Sequence, residues 1–388
     1  MLQYFYVFLL FALFVLPKIL QRFKIPGAIT CFVLGTVAAA NWVYVAQDST
    51  IQFLATLGIV SLFLFAGLDV EMRELAQNRR VLLQHVGIQA AGLAIVTVLG
   101  KLVFGLEPRA AVLVGLALVT PSAGFILDSL ARYDLSEQAR FWIKTKAIAS
   151  ELVALAILFV TLQSESAQSL LGSTLVLAGI VALLPLLFLG FARFVLPHAP
   201  RSEFAFVMML AVSGGVATYQ LGVYYLVGAF IVGVVAQRLR QKMPNMDSER
   251  MLLTVEAFAS LFVPFYFFHA GSKVRPSDLG IASISLGVAL FVVGVVVRVV
   301  PGWWHRRVVL GETLRETMDV QLPMLPTLVF TLVIAGILRE RFGIGDVLFG
   351  ALITYTILTS IVPGLLLRRP LPEPDEELRE DERHTASL

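Results

Sequence analysis

Apolar residues run along this chain in long blocks separated by short polar connections. A spanning helix needs about 20 apolar residues to cross about 30 Å of hydrocarbon. By that measure thirteen stretches qualify, at 3–21, 25–43, 52–69, 79–103, 108–132, 138–164, 168–196, 203–219, 223–239, 250–271, 280–302, 320–340 and 345–368. A signal peptide is the competing reading of the first block. Its polarity is wrong, because Lys18, Arg22 and Lys24 follow the block and no positive charge precedes it. The pattern therefore predicts an all-α polytopic membrane protein. Residues 1–369 form one transmembrane domain, and the charged, Pro-containing segment 370–388 is expected to be a disordered cytoplasmic tail.

The basic residues orient the spans. With the N-terminus outside, the inward connections and their flanks hold 23 of the 30 Lys and Arg, the outward ones hold six, and Arg298 lies within a span. That is the bias expected of cytoplasmic loops, and it places the C-terminus inside, as in a cell (inner) membrane protein. Composition agrees: 58% of residues are apolar and only 15% charged, which excludes a soluble enzyme and a disordered chain. A net charge of +3 gives no footprint for nucleic acid. The single cysteine, Cys31, excludes an internal disulfide.

Two segments resemble each other across the chain. Residues 66–75 read AGLDVEMREL and residues 270–279 read AGSKVRPSDL, so A-G-x-x-V-x-x-x-acid-Leu recurs after 204 positions. Both end a span, the first on the inner side and the second on the outer. That pattern suggests inverted-topology repeats.

Proline placement follows the same offset. Thr120-Pro121-Ser122-Ala123-Gly124 lies mid-span, and 204 positions on lies Gln321-Leu322-Pro323-Met324-Leu325-Pro326-Thr327. Each proline removes a helical hydrogen bond. Lipid cannot satisfy the freed groups, so the breaks must face protein or a wet cavity. Matching breaks in two halves point to a binding site; simple packing kinks are the alternative.

Glu151 stands midway through the sixth stretch, preceded by Ser150. A charge at the bilayer centre costs about 2.5–3.5 kcal/mol on insertion scales, which favours a functional role over a structural ion pair. Lys144 shares its helical face and is a candidate charge partner or an interfacial anchor. Lys146, on another face, is expected to be an anchor. Arg298 either pairs with a buried group or snorkels to the interface. Asp69 and Asp128 are expected to be solvated. His269 reads as a satisfied helix-end residue, and His85, His198 and His305 as isolated residues at inner span ends. No spacing suggests a His/Cys metal site, a phosphate loop or a nucleophile elbow.

The segments LATLGIVSLFLFAGLDVEMREL, ALVTPSAGFILDSL, KAIASELVALAIL, YYLVGAFIVGVVAQ and FVPFYFFHAGSKV, in this order, resemble the bacterial monovalent cation:proton antiporter family. The branch is the second, with sodium/proton antiporters and glutathione-gated potassium efflux systems. The resemblance covers about residues 1–368. It implies two broken helices crossing in a core bundle of about 79–164 and 280–368, with the remaining spans forming a scaffold panel that dimerises. It implies elevator-type motion, Na⁺ or K⁺ and H⁺ as partners within the bilayer, and no cofactor. The family's acidic pair falls on Ser150-Glu151, and a basic partner falls on Arg298. Two departures stand out: Ser150 replaces the first acid, and Glu replaces Asp at 151. The potassium efflux branch usually continues into a nucleotide-binding domain, whereas this sequence runs about 20 residues past its last span, so such regulation is expected to be absent or supplied by a separate regulatory subunit.

These features lead to an expectation of monovalent cation/proton exchange. Glu151 would hold either a proton or, transiently, the cation. Ser150, Thr120 and carbonyls freed at Pro121, Ser122, Gly124, Pro323 and Pro326 would complete an oxygen shell, as hard cations favour. One carboxylate implies electroneutral 1:1 exchange. A sodium-coupled symporter of an organic anion and a non-transporting membrane sensor are the alternatives.

Overall fold

The computed structural model describes residues 2–130, 133–199, 202–240 and 249–367. Within them the chain is helical, with no strand. In chain order the helices are α1 (Leu2–Gln21), α2 (Gly27–Asn41), α3 (Ser49–Leu68), the short α4 (Met72–Gln77), α5 (Arg79–Phe104), α6 (Pro108–Val119), α7 (Ala123–Leu130), α8 (Glu137–Gln163) and α9 (Ala167–Gly190). They continue with α10 (Glu203–Gln220), α11 (Tyr225–Arg240), α12 (Glu249–Ser272), α13 (Ile281–Trp304), α14 (Leu314–Gln321), α15 (Leu328–Phe342) and α16 (Asp346–Leu366). The predicted stretches fall on helices or on broken pairs, except that the one at 320–340 takes in only the last two residues of α14, whose earlier turns are polar. Nine stretches among the described residues are long and apolar enough to cross a membrane, and Gly27–Asn41 and Tyr225–Leu239 are shorter apolar helices. The tail at 370–388 and the Asp128 side chain lie outside the described residues.

Several boundaries have local causes. Asp48 accepts from the N–H groups of Thr50 and Ile51 and starts α3. Ser136 accepts from Ala139 and starts α8. Thr120 is extended (φ −82°, ψ 119°), because the ring of Pro121 disfavours helical geometry in the residue before it. That residue ends α6, and α7 begins three positions later.

The second half of the chain repeats the first at the 204-residue offset. α3 ends at Leu68 and α12 at Ser272. The elements α5, α6, α7 and α8 find counterparts in α13, α14, α15 and α16, while α9 joins the halves. Packing repeats as well: α2 packs on α12 as α11 packs on α3. The α2–α12 contact is backbone to backbone. A Cβ on Gly35 would lie 1.9 Å from the carbonyl oxygen of Phe268, and one on Gly271 would lie 1.9 Å from that of Phe32. Only glycine lets these helices approach so closely.

Burial separates the helices that hold the breaks from those that face outward. In α6, every residue from Ala110 to Val119 except Val112 is buried. In α9, only Ser173, Leu184 and Phe188 are. The α6–α7 and α14–α15 breaks thus lie inside protein, where freed backbone groups can find partners.

Candidate functional site at the crossed helix breaks

The two breaks are stitched to each other. The Ser122 N–H donates to the Pro326 carbonyl at 2.9 Å. The Ser122 Oγ accepts from the Phe330 N–H at 3.2 Å, and the Thr331 hydroxyl donates to the Ala117 carbonyl at 2.7 Å. Thr327 lies within 3.4 Å of the hydroxyls of Thr356 and Thr359. Gly124 packs against Leu62 of α3.

The second break is closed by its own partners. Arg298 of α13 donates to the carbonyls of Leu325 (2.7 Å) and Met324 and reaches the Tyr355 hydroxyl (3.4 Å). Tyr355 donates to the Leu118 carbonyl at the end of α6. Arg298 therefore binds the carbonyls freed around Pro323 and Pro326. Its partners are neither a carboxylate nor the interface.

The first break is left open. Glu151 is 2% exposed, and its Oε2 has no hydrogen-bond partner among the described residues. The N–H of Ala123, the first residue of α7, faces the carboxylate. The positive end of the α7 dipole thus points at it. Thr120 is 1% exposed, and its Oγ1 is also unpartnered. The Oε1 of Gln89, which lines a small cavity with Thr120, is unpartnered as well; buried polar atoms are almost always satisfied, so these orphan oxygens need an explanation. The carboxylate oxygen can take a proton or a cation, and the Thr120 hydroxyl, donor and acceptor at once, can offer a lone pair to a cation.

Ser150 is fully buried and bonds to the Nε2 of His85 of α5 at 3.0 Å. Both line a small cavity of about 40 Å³, together with Gln89, Pro121, Arg298 and Gln321. That is room for a water molecule. A larger cavity of about 250 Å³ opens between α3, α12 and α15, lined by Tyr219, Tyr224, Tyr225, Tyr266 and His269.

Five expectations change. His85 is not isolated but joined to Ser150. His305 is joined to Gln84, 3.0 Å from its Oε1. Neither contact leaves a sequence signal, since the partners lie on different helices. Lys146 is no interfacial anchor: it is 1% exposed, because α8 is enclosed on nearly all sides. The Nδ1 of His269 is buried without a partner among the described residues, so it is not a satisfied helix-end residue. Lys144 pairs with Glu71 (3.4 Å) and Asp69 (3.9 Å) at the α3–α4 turn, leaving Asp69 half-buried rather than freely solvated.

The chain is similar to known membrane exchangers along its length. It is 24% identical to the "Probable Na(+)/H(+) antiporter 3" of Methanocaldococcus jannaschii, over 94% of this chain and 96% of that protein. It is 25% identical to the "High-affinity Na(+)/H(+) antiporter NhaS3" of Synechocystis, over 87% of this chain and 78% of that one. Its fold matches the sodium proton antiporter MjNhaP1 of Methanocaldococcus jannaschii at pH 8 with a TM-score of 0.66 and 14% identity, covering 92% of this chain and 94% of the other. The family model "Sodium/hydrogen exchanger, transmembrane" matches residues 8–372, so the chain belongs to that family of multi-pass membrane cation/proton antiporters.

Proposed function

We propose that this protein exchanges Na⁺ or K⁺ for H⁺ with Glu151 as the shared carrier. The observation that carries the reading is the unpartnered, buried Oε2 of Glu151 beside the α7 N-terminus. Among the described residues no three His, Cys, Asp or Glu side chains cluster as a metal site. The cation's shell is assigned to Glu151, Ser150, Thr120 and backbone carbonyls of the first break, because the Oε2 of Glu151 and the Oγ1 of Thr120 are buried oxygens with no partner among the described residues. A single carboxylate cannot hold a cation and a proton together, so exchange is 1:1 and electroneutral.

The core is α5–α8 with α13–α16, and it moves as an elevator against the remaining helices, which also form a homodimer. The glycine-mediated contacts among α2, α3, α11 and α12 support that division, since they make those helices a rigid unit. The N-terminus lies outside and the C-terminus in the cytoplasm of a cell in whose inner membrane the protein sits.

The test is reconstitution in sealed vesicles with an imposed pH gradient, adding NaCl, KCl or LiCl separately. One of these salts should collapse the gradient with the native protein and not with Glu151→Gln, which should remain folded. Normal exchange by Glu151→Gln removes Glu151 as the carrier. No response to any salt removes the exchange reading.

A further inference from the structure

α5 (Arg79–Phe104) turns most of its surface outward: only Leu82, Gly92, Val96 and Gly100 are buried. Near its middle it nonetheless carries an amide, Gln89, whose Oε1 is buried and has no hydrogen-bond partner among the described residues. Gln89 follows His85 by four positions, so both side chains lie on the stripe of α5 that faces α8. An amide in apolar surroundings is costly unless a partner satisfies it.

Two small cavities meet at this residue. The one that holds His85, Pro121 and Ser150 and the one that holds Thr120 have Gln89 and Val119 in common. The second cavity measures about 10 Å³, and the only polar side chains lining it are Gln89 and Thr120. The Oε1 of one and the Oγ1 of the other are both unpartnered, so they share a cavity without bonding each other. A buried water typically makes about three hydrogen bonds, and these two side chains offer fewer. A cation stripped of water asks only for lone pairs, and hard cations take the side-chain carbonyls of Gln and Asn as ligands.

We infer that the side-chain carbonyl of Gln89, shared between the cavities of Thr120 and Ser150, is a further ligand of the transported cation. This role rests on the exchange reading of Glu151. It adds an oxygen and no charge, so exchange at a one-carboxylate site stays electroneutral. Ligand number and cavity size govern which cation a site prefers, so Gln89 bears on selectivity as well as on affinity.

The test compares the full native chain with Gln89→Leu in sealed vesicles, titrating NaCl and KCl separately with ionic strength held by choline chloride. Tm of both proteins is followed against the same salts. In Gln89→Leu the cation concentration at half-maximal rate should rise about tenfold, equivalent to about 1.4 kcal/mol in binding, with the maximal rate unchanged. The concentration needed for a given cation-induced rise in Tm should move by the same factor. Tm without the cation should not fall, because leucine removes an oxygen that had no partner. Gln89→Met, unbranched and of similar length, decides should Gln89→Leu fail to fold. A half-maximal concentration within about twofold of native in a folded variant assigns Gln89 to packing or to a water, and overturns the ligand role while the exchange reading stands. Native protein that answers neither salt, in rate or in Tm, removes the exchange reading and the role of Gln89 with it.

Discussion

The N–H of Ser122 donates to the carbonyl of Pro326 at 2.9 Å, and these residues stand 204 positions apart, the offset at which Ala66 recurs as Ala270. Equivalent residues of two repeats meet only on the pseudo-two-fold axis that relates them. Gly58 and Phe262, also 204 apart, meet in the same way where α3 crosses α12: a Cβ on Gly58 would lie 2.3 Å from the Phe262 carbonyl oxygen. The crossing of the broken helices and the crossing of α3 with α12 thus mark one axis.

Ser122 should be a stability residue for the crossing. Its Oγ accepts from the Phe330 N–H, which is buried near the start of α15. Ser122→Ala strands that donor, at a cost of about 1–3 kcal/mol. The expected result is a lower Tm, with Ser122→Thr restoring most of it. An unchanged Tm in Ser122→Ala would show that the bond contributes nothing.

The close approach of α2 and α12 predicts a sharp contrast between two glycines. A methyl group on Gly35 overlaps the Phe268 carbonyl, whereas one on Gly179 of α9 meets nothing within 4 Å. Overpacking costs about 1–3 kcal/mol when neighbours can shift, and more when the neighbour is backbone. Gly35→Ala should therefore lose most of its monodisperse fraction in size-exclusion chromatography. Gly179→Ala should elute and melt like the native protein. Similar behaviour of the two would refute the packing argument.

Ser150 is the place to alter stoichiometry. A carboxylate at 150 would adjoin Glu151 and lie within reach of His85, which already bonds the Ser150 hydroxyl at 3.0 Å. With two carboxylates, the loaded and protonated forms need no longer carry equal charge. Ser150→Asp should make exchange respond to an imposed membrane potential, while native exchange should not. Vesicles clamped with a potassium ionophore report the difference as a rate change with voltage. Voltage-sensitive exchange by the native protein would contradict the one-carboxylate reading.

The sequence made the helix breaks legible because proline acts locally: Pro121 alone dictates the extended Thr120 and the end of α6. Glu151 was legible because one acid in an apolar run needs no partner to be noticed. The groups around it were not. Gln84 and His305 bond across 221 positions, and no pattern along either helix announces the pairing. Lys146 misled for a related reason. Helical periodicity distinguishes faces only when one face differs from the rest, and α8 is buried at Lys146 and at every position from Thr145 to Glu151. The repeat offset carries one more relation: Tyr355 stands 204 positions after Glu151. Where the first half has a carboxylate with a free oxygen, the second has a phenol that is already satisfied.

Arg298 should act on the shape of the second break rather than on ion binding. It supplies donors to two carbonyls, of Met324 and Leu325, and to the Tyr355 hydroxyl. Lipid offers those carbonyls no substitute. Hydrogen bonds from a charged group contribute about 1.5–3 kcal/mol each. Arg298→Leu should therefore lower Tm strongly and reduce the amount of folded protein. Arg298→Lys keeps the charge but has no planar fork to reach both carbonyls, so it should recover only part of the loss. The cation concentration at half-maximal rate in whatever folded Arg298→Lys remains should stay within about twofold of native, less than 0.5 kcal/mol in binding. A tenfold change in that concentration with an unaltered Tm would instead place Arg298 in the ion site.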